Sequence, residues 1–165
     1  MKKWLFLFSA IISIQWATAQ DGGDTPPYMR IPTMPPFDLL QADSSILTKE
    51  KLKQEPTIIM YFSPTCEHCQ HQWDDMVKHM DQLKKYQIIM ATYQPFDEMV
   101  DFYKKQKIDT YPNIKMGRDT KFILPPFYRI QSLPYQALYD KKGKLVTTFG
   151  GNVQIETMIK AFDKK

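Results

Sequence analysis

The chain has 165 residues and a formal net charge of +4, and 43% of its residues are hydrophobic. That length suits one domain with a proper core. The 22 Lys and Arg are scattered, and so slight a basic excess argues against nucleic acid or an anionic membrane as the partner.

Lys2 and Lys3 precede an apolar run from Trp4 to Ile14, and Ala17-Thr18-Ala19 matches the small-x-small pattern before a cleavage point ahead of Gln20. Residues 1–19 are therefore expected to be a secretory signal peptide. The run is too short for the about 20 apolar residues of a spanning helix, so no transmembrane segment is expected in the mature chain. No cysteine stands near the cleavage point to carry a lipid. Cleavage removes Lys2 and Lys3 and no acidic residue, which lowers the charge by two. Residues 20–36 hold Pro26, Pro27, Pro32, Pro35 and Pro36 and are expected to form an extended, poorly packed leader. Phe37 to Leu40 and Ser45 to Leu47 are predicted as a small hairpin around Ala42-Asp43-Ser44. Thr48 is the expected cap of a short helix from Lys49 to Gln54.

Thr57 to Phe62 is an unbroken apolar and β-prone run, as in a strand buried on both faces. Ser63 and Pro64 stop it. Trp73, Met76, Val77, Met80 and Leu83 then fall on one side of a helical wheel, so Cys66-Glu67-His68-Cys69 sits where a buried strand turns into an amphipathic helix. Open backbone N–H groups and the helix dipole favour a thiolate there, which makes Cys66 the expected reactive sulfur. Cys69 shares the inward face with Trp73 and is the expected resolving partner. The chain has no other cysteine, so this pair is more plausibly used than structural.

Gln87 to Tyr93 reads as a second buried strand. Pro95 opens a helix with Phe96, Met99, Val100 and Tyr103 inward and with Asp97 and Glu98 near its positive end. Strand, helix, strand, helix is the pattern of parallel βαβ construction. Asn113 to Met116 is a candidate short strand, and Pro125-Pro126 is expected to interrupt any helix spanning Lys121 to Ile130. Tyr135 to Tyr139 and Leu145 to Phe149 form a predicted hairpin around Asp140 to Lys144, with Gly143 at positive φ. Asn152 is the expected cap of a last helix whose Ile155, Met158, Ile159 and Phe162 face inward.

This order, with Cys66-Glu67-His68-Cys69 at the first long helix and Leu133-Pro134 before an antiparallel hairpin and a terminal helix, resembles the thioredoxin fold. The resemblance implies an α/β domain over residues 37–165: a central mixed β-sheet flanked by helices, with an N-terminal β-hairpin extension. It also implies a cis Leu133–Pro134 bond beside Cys66, in a loop whose backbone pairs with a substrate segment. The signal peptide, hairpin and longer middle section are similar to the exported TlpA/ResA branch of thiol–disulfide oxidoreductases. Glu67 is similar to some reductases of that branch, and His68 to oxidising members such as DsbA and protein disulfide isomerase. The chain departs from the family at Met60, where thioredoxins carry a buried aspartate, and at Thr65, where a tryptophan usually precedes the first cysteine. Proton transfer from Cys69 then needs water, Glu67 or another base.

A protonated His68 would stabilise the Cys66 thiolate and make the disulfide more oxidising, whereas a merely solvated histidine would not. Glu67 is equally well read as a surface carboxylate or as a proton-transfer or substrate-contact group. His71 and His79 read as polar helix-face residues. Cys66, Cys69, His68 and His71 with ten methionines also fit a thioredoxin-fold copper or metal chaperone. No distant second Cys/His pair exists for a structural zinc, and methionines on inward stripes read more simply as core filler. A redox-inactive binding module is the third alternative. The expectation is an exported, monomeric thiol–disulfide oxidoreductase of a bacterial periplasm, with Cys66 as nucleophile and Cys69 as resolver. Its expected cofactor is none beyond the Cys66–Cys69 disulfide, with no metal. Its expected partners are exported protein thiols or disulfides and a separate redox protein that recycles it.

Overall fold

The computed structural model describes residues 25–163, and the expected signal peptide lies outside them. From Pro26 the chain packs onto the domain. Pro27 opens a one-turn helix, α1 (Pro27–Arg30), at a position that needs no N–H. The Tyr28 ring meets that of Tyr128 at 6.0 Å between centroids. Met34 is only 5% exposed, and a bridge joins Thr33 to Lys144. The leader expected to be poorly packed is thus a strap anchored at Met34 and, in part, at Tyr28, while Met29 and Ile31 between its prolines stay 59% and 60% exposed. Composition alone does not show which residues of such a segment become anchors.

Strands β1 (Asp38–Leu40) and β2 (Ile46–Thr48) form the antiparallel hairpin. The helix expected to run to Gln54 is only a 3-10 turn, Lys49–Lys51, and Thr48 makes no capping bond from its side chain. Lys53 instead donates its N–H to Gln87 Oε1 at 3.2 Å, so a tertiary bond ends the turn early. Strand β3 (Thr57–Tyr61) leads to helix α2 (Glu67–Lys78). The single helix expected through Leu83 breaks at His79 (φ −111, ψ 20) before the short α3 (Met80–Leu83). The His79 N–H is shared between the carbonyls of Asp75 and Met76, both at 3.2 Å, which tightens the last turn of α2.

Strand β4 (Gln87–Thr92), helix α4 (Phe96–Lys105) and strand β5 (Ile114–Asp119) follow. β5 runs past the expected end at Met116. Lys115, Gly117, Arg118 and Asp119 do not look like a strand, but pairing with β4 and β1 extends it. A Cβ at Gly117 would lie 2.8 Å from Leu39 Cβ, so glycine is what lets β1 dock there. No helix spans Lys121 to Ile130, as the two prolines require; helix α5 is only Leu124–Tyr128, and Pro125 and Pro126 fall in its first turn, where their missing N–H groups cost little. Buried Asp119 accepts the N–H groups of Ile123 and Leu124 at 3.1 and 2.9 Å. Strands β6 (Tyr135–Tyr139) and β7 (Leu145–Gly150) and helix α6 (Ile155–Asp163) complete the chain. Gly143 turns the last hairpin at φ 73. Asn152 does not cap α6; the Gln154 carbonyl receives the Thr157 and Met158 N–H groups at 3.0 and 3.2 Å.

Among the described residues, seven strands form one mixed sheet in the order β2-β1-β5-β4-β3-β6-β7. β3, β4 and β5 are parallel, while β6 runs antiparallel to β3 and β7 to β6. Alternation along β3 sends Ile58 and Met60 to a core shared with Trp73, Met76, Met99, Phe102 and Met158 of α2, α4 and α6. Ile59 and Tyr61 point the other way, into a core closed by Met34, Phe37, Leu124 and Tyr128 of the strap and α5. Six methionines lie in the first core and one in the second, where they act as filler. Among the described residues no helix is long and apolar enough to cross a membrane.

Candidate redox site

The central strand delivers the two cysteines to the start of α2. Phe62 continues its pairing, donating its N–H to the Ala91 carbonyl at 3.0 Å, and Ser63-Pro64-Thr65 then turns the chain. Cys66 takes the N-cap position in an extended conformation (φ −81, ψ 119), and its carbonyl accepts the Gln70 N–H at 3.0 Å. Its side chain is partly exposed, while Cys69, one turn on, is 1% exposed. The Ser63 N–H reaches the Cys69 sulfur at 3.5 Å. Burial, more than the neighbouring Cys66 sulfur, pushes the Cys69 thiol up to about 12.

The other residues of the motif face outward. Glu67 Oε1 lies 4.0 Å from His71 Nε2, both side chains well exposed. His68 is exposed too, and its carbonyl accepts a hydrogen bond from Asn152 Nδ2 at 2.8 Å. Among the described residues, no three His, Cys, Asp or Glu side chains converge as a metal ion requires. Met60 is fully buried in the helix-side core, opposite Gln136 in the register of β3 and β6. Neither of these two residues can act as a base.

The Leu133–Pro134 peptide is cis. Because Tyr135 pairs with Tyr61, this loop stands at the same end of the sheet as the motif. The Pro134 carbonyl accepts the Gly151 N–H at 2.8 Å.

Two buried amides, not anticipated from the sequence, join these pieces. Gln72 donates from Nε2 to the Val153 carbonyl at 3.1 Å and accepts the Val153 N–H at Oε1 at 2.7 Å. Gln136 is best placed with its amide nitrogen toward the carbonyls of Phe149 and Gly151, at 3.1 and 3.2 Å. The opposite orientation offers only a 3.4 Å contact with Gln72 Oε1. The turn between β7 and α6 is thereby tied to the motif helix through Gln72 and His68, and to the cis-proline segment through Pro134 and Gln136. A signal was present: Gln72 is the one amide on the otherwise apolar stripe of Cys69, Trp73 and Met76.

A dithiol delivered by a central strand to a helix start, with a cis-proline loop at the same end of a mixed sheet, defines a thioredoxin-like domain. Residues 45–165 match the family model described as Thioredoxin-like domain, and the chain belongs to that family. No protein of curated function matches the chain by sequence. Solved structures with the same fold include the exposed lipoprotein thioredoxin Etrx1 of Streptococcus pneumoniae, at TM-score 0.66 and 20% identity over 79% of this chain and 100% of that one. StoA of Bacillus subtilis is similar at TM-score 0.61 and 18% identity over 78% and 96%. A secreted Mycobacterium tuberculosis disulfide oxidoreductase homologous to Escherichia coli DsbE is similar at TM-score 0.62 and 14% identity over 77% and 95%.

Proposed function

We propose that the protein is an exported thiol–disulfide oxidoreductase of the TlpA/ResA type, exchanging disulfides with other exported proteins. The observation that carries this reading is the asymmetry of the pair: one sulfur partly exposed at a helix start, the other buried and held as a thiol. In the reducing direction, the Cys66 thiolate attacks a substrate disulfide, breaks its S–S bond and forms a mixed disulfide, and the first substrate thiolate departs. Cys69 loses its proton and attacks the Cys66 sulfur, which releases the second substrate thiolate. The substrate gains two electrons, the motif becomes a disulfide, and a separate dithiol protein returns it to the dithiol. The reverse sequence donates a disulfide.

With Met60 where a carboxylate would serve, and with the Glu67 carboxylate beside His71, the departing thiolate or water is the acceptor for the Cys69 proton. Glu67 and His68 flank Cys66 on the open side, where they would tune its charge or meet substrate. Leu133 and Pro134 would present backbone to the substrate segment. Export is supported by the signal-like residues 1–19 and by the exposed or secreted character named for two of the similar proteins, and the compartment proposed is a bacterial periplasm.

The test is trapping. In extracts of the exported fraction, Cys69→Ala is expected to accumulate mixed disulfides through Cys66, and Cys66→Ala to accumulate almost none. Equal trapping by both variants overturns the assignment of roles. An equilibrium potential near about −270 mV marks a reductase and one near about −120 mV a disulfide donor.

A further inference from the structure

Beside the cis-proline loop lies a pocket of about 250 Å³, lined by Tyr61, Tyr93, Phe122, Pro125, Ile130 and Leu133. Its walls come from the ends of β3 and β4 and from the segment between β5 and β6, so it is built largely by the stretch that carries α5. Tyr93 and Phe122 are 43% and 51% exposed, although both are large apolar rings. They meet edge to face at 5.6 Å, and Tyr93 stacks on Tyr61 at 6.4 Å. Phe122 stands at φ 51, in the left-handed region that an aromatic residue rarely adopts, with its N–H on the Asp119 carbonyl at 3.2 Å. The fold therefore holds an apolar ring in water at a backbone cost.

One further observation points to a guest. Along the rim, the backbone N–H groups of Gln131, Ser132 and Leu133 make no hydrogen bond among the described residues, so they are open to pairing with an incoming strand. Leu133 links this pocket to the motif: it lines the pocket and also packs on the core that Cys66 joins.

The geometry points to a specificity subsite: an extended segment of the substrate protein pairs with Gln131–Leu133 and places a large apolar side chain, aromatic foremost, among Tyr93, Phe122 and Ile130. This rests on the oxidoreductase reading and names its substrate class, segments with a bulky apolar residue within a few positions of the reactive cysteine. A strand places alternate side chains on one side, so one guest position at a time can enter the pocket while the cysteine faces Cys66.

The test uses the mature protein and a set of short peptides with one cysteine, presented as mixed disulfides, with Phe or Gln at each of the three positions on either side. A parallel set carrying Ser for Cys measures binding without reaction. Phe122→Asn is the chosen variant, since asparagine tolerates a left-handed backbone. At one position, Phe is expected to exceed Gln by about tenfold in kcat/KM and in affinity, the size expected for burying one ring in part. In Phe122→Asn the preference disappears, while turnover of a small aliphatic disulfide such as hydroxyethyl disulfide, which has no ring to place in the pocket, is unchanged. Turnover of the small disulfide without any Phe preference in the unmodified protein overturns the subsite and leaves the redox function standing. A Phe preference that survives in Phe122→Asn also overturns it. Selective, Phe122-dependent binding of the Ser peptides without turnover of any disulfide upholds the docking surface and removes the redox function. A concentration-dependent dimer that Phe122→Asn dissociates, with no peptide preference, assigns the pocket to a second copy of the chain and overturns the proposal.

Discussion

At Cys69, burial holds the proton on sulfur up to about 12 against an ordinary value of 9.0. A group whose folded pKa is raised contributes stability that is fully present below the unfolded pKa and is lost as pH climbs toward the folded one. The reduced protein is therefore expected to lose stability between about pH 9 and pH 12 through this group, whereas the disulfide form has no such proton to lose. Tyr61, Tyr128 and Tyr139 are also raised by burial, and they act in the same direction in both redox forms. Urea unfolding of the two forms at pH 8 and pH 11 checks this: the advantage of the oxidised form should widen at the higher pH. A constant gap would mean that Cys69 is solvated. Met60 belongs to the same argument, because a buried thioether beside Gln136 can neither take nor give the proton that resolution of the mixed disulfide moves.

At the scale of elements, the first turn of α2 is held by a neighbour far away in sequence. Gln72 uses both ends of its amide on Val153, and Asn152 reaches the His68 carbonyl. Gln72→Leu keeps the apolar volume but leaves the Val153 N–H and carbonyl without these partners, which is expected to cost about 2–3 kcal/mol. Urea unfolding measures the loss. Asn152→Ala, at an exposed site, is expected to cost under about 1 kcal/mol in the same assay. Equal effects would mean that the buried amide is not the main tie. The same tertiary influence explains the element ends that differ from the sequence reading. Lys53 stops the turn after β2 by bonding Gln87, and Asp119 accepts the Ile123 and Leu124 N–H groups where α5 begins.

Across the whole molecule, the two faces of the sheet are closed differently. α2, α4 and α6 cover one, while α5 and the proline-rich strap cover the other. Met34 of the strap is therefore part of the core, with Tyr28 partly buried against it. A mature chain that begins at Phe37 loses Met34 and Tyr28 from that core, and large-to-small losses of one such side chain cost about 2–5 kcal/mol. Its melting temperature is expected to fall by about 5–10 °C. Thermal unfolding of the chains beginning at Gln20 and at Phe37 decides this, and equal melting temperatures would show that the strap contributes nothing. The two central strands were legible because β3 and β4 are apolar on both faces, the pattern that a strand buried between two layers needs. β5 was legible only in part, since its charged and glycine residues take their conformation from the strands on either side.

The sequence by itself determined the βαβ order, the placing of Cys66 and Cys69 at a helix start and the hairpin at Gly143, because periodicity, helix termini and positive-φ turns are local and leave residue-level signatures. Tertiary structure alone decided which polar residues matter around the motif. Gln72 stands out in the sequence only as the one amide on an apolar stripe, and neither it nor Gln136 has an assigned partner until Val153, Phe149 and Gly151 are brought to them. It also decided that Met34 of the strap is buried and that Tyr93 and Phe122 stand open beside the cis-proline loop. Hydrogen-bond partners and exposure depend on chain segments that are distant in sequence, and no local pattern records them.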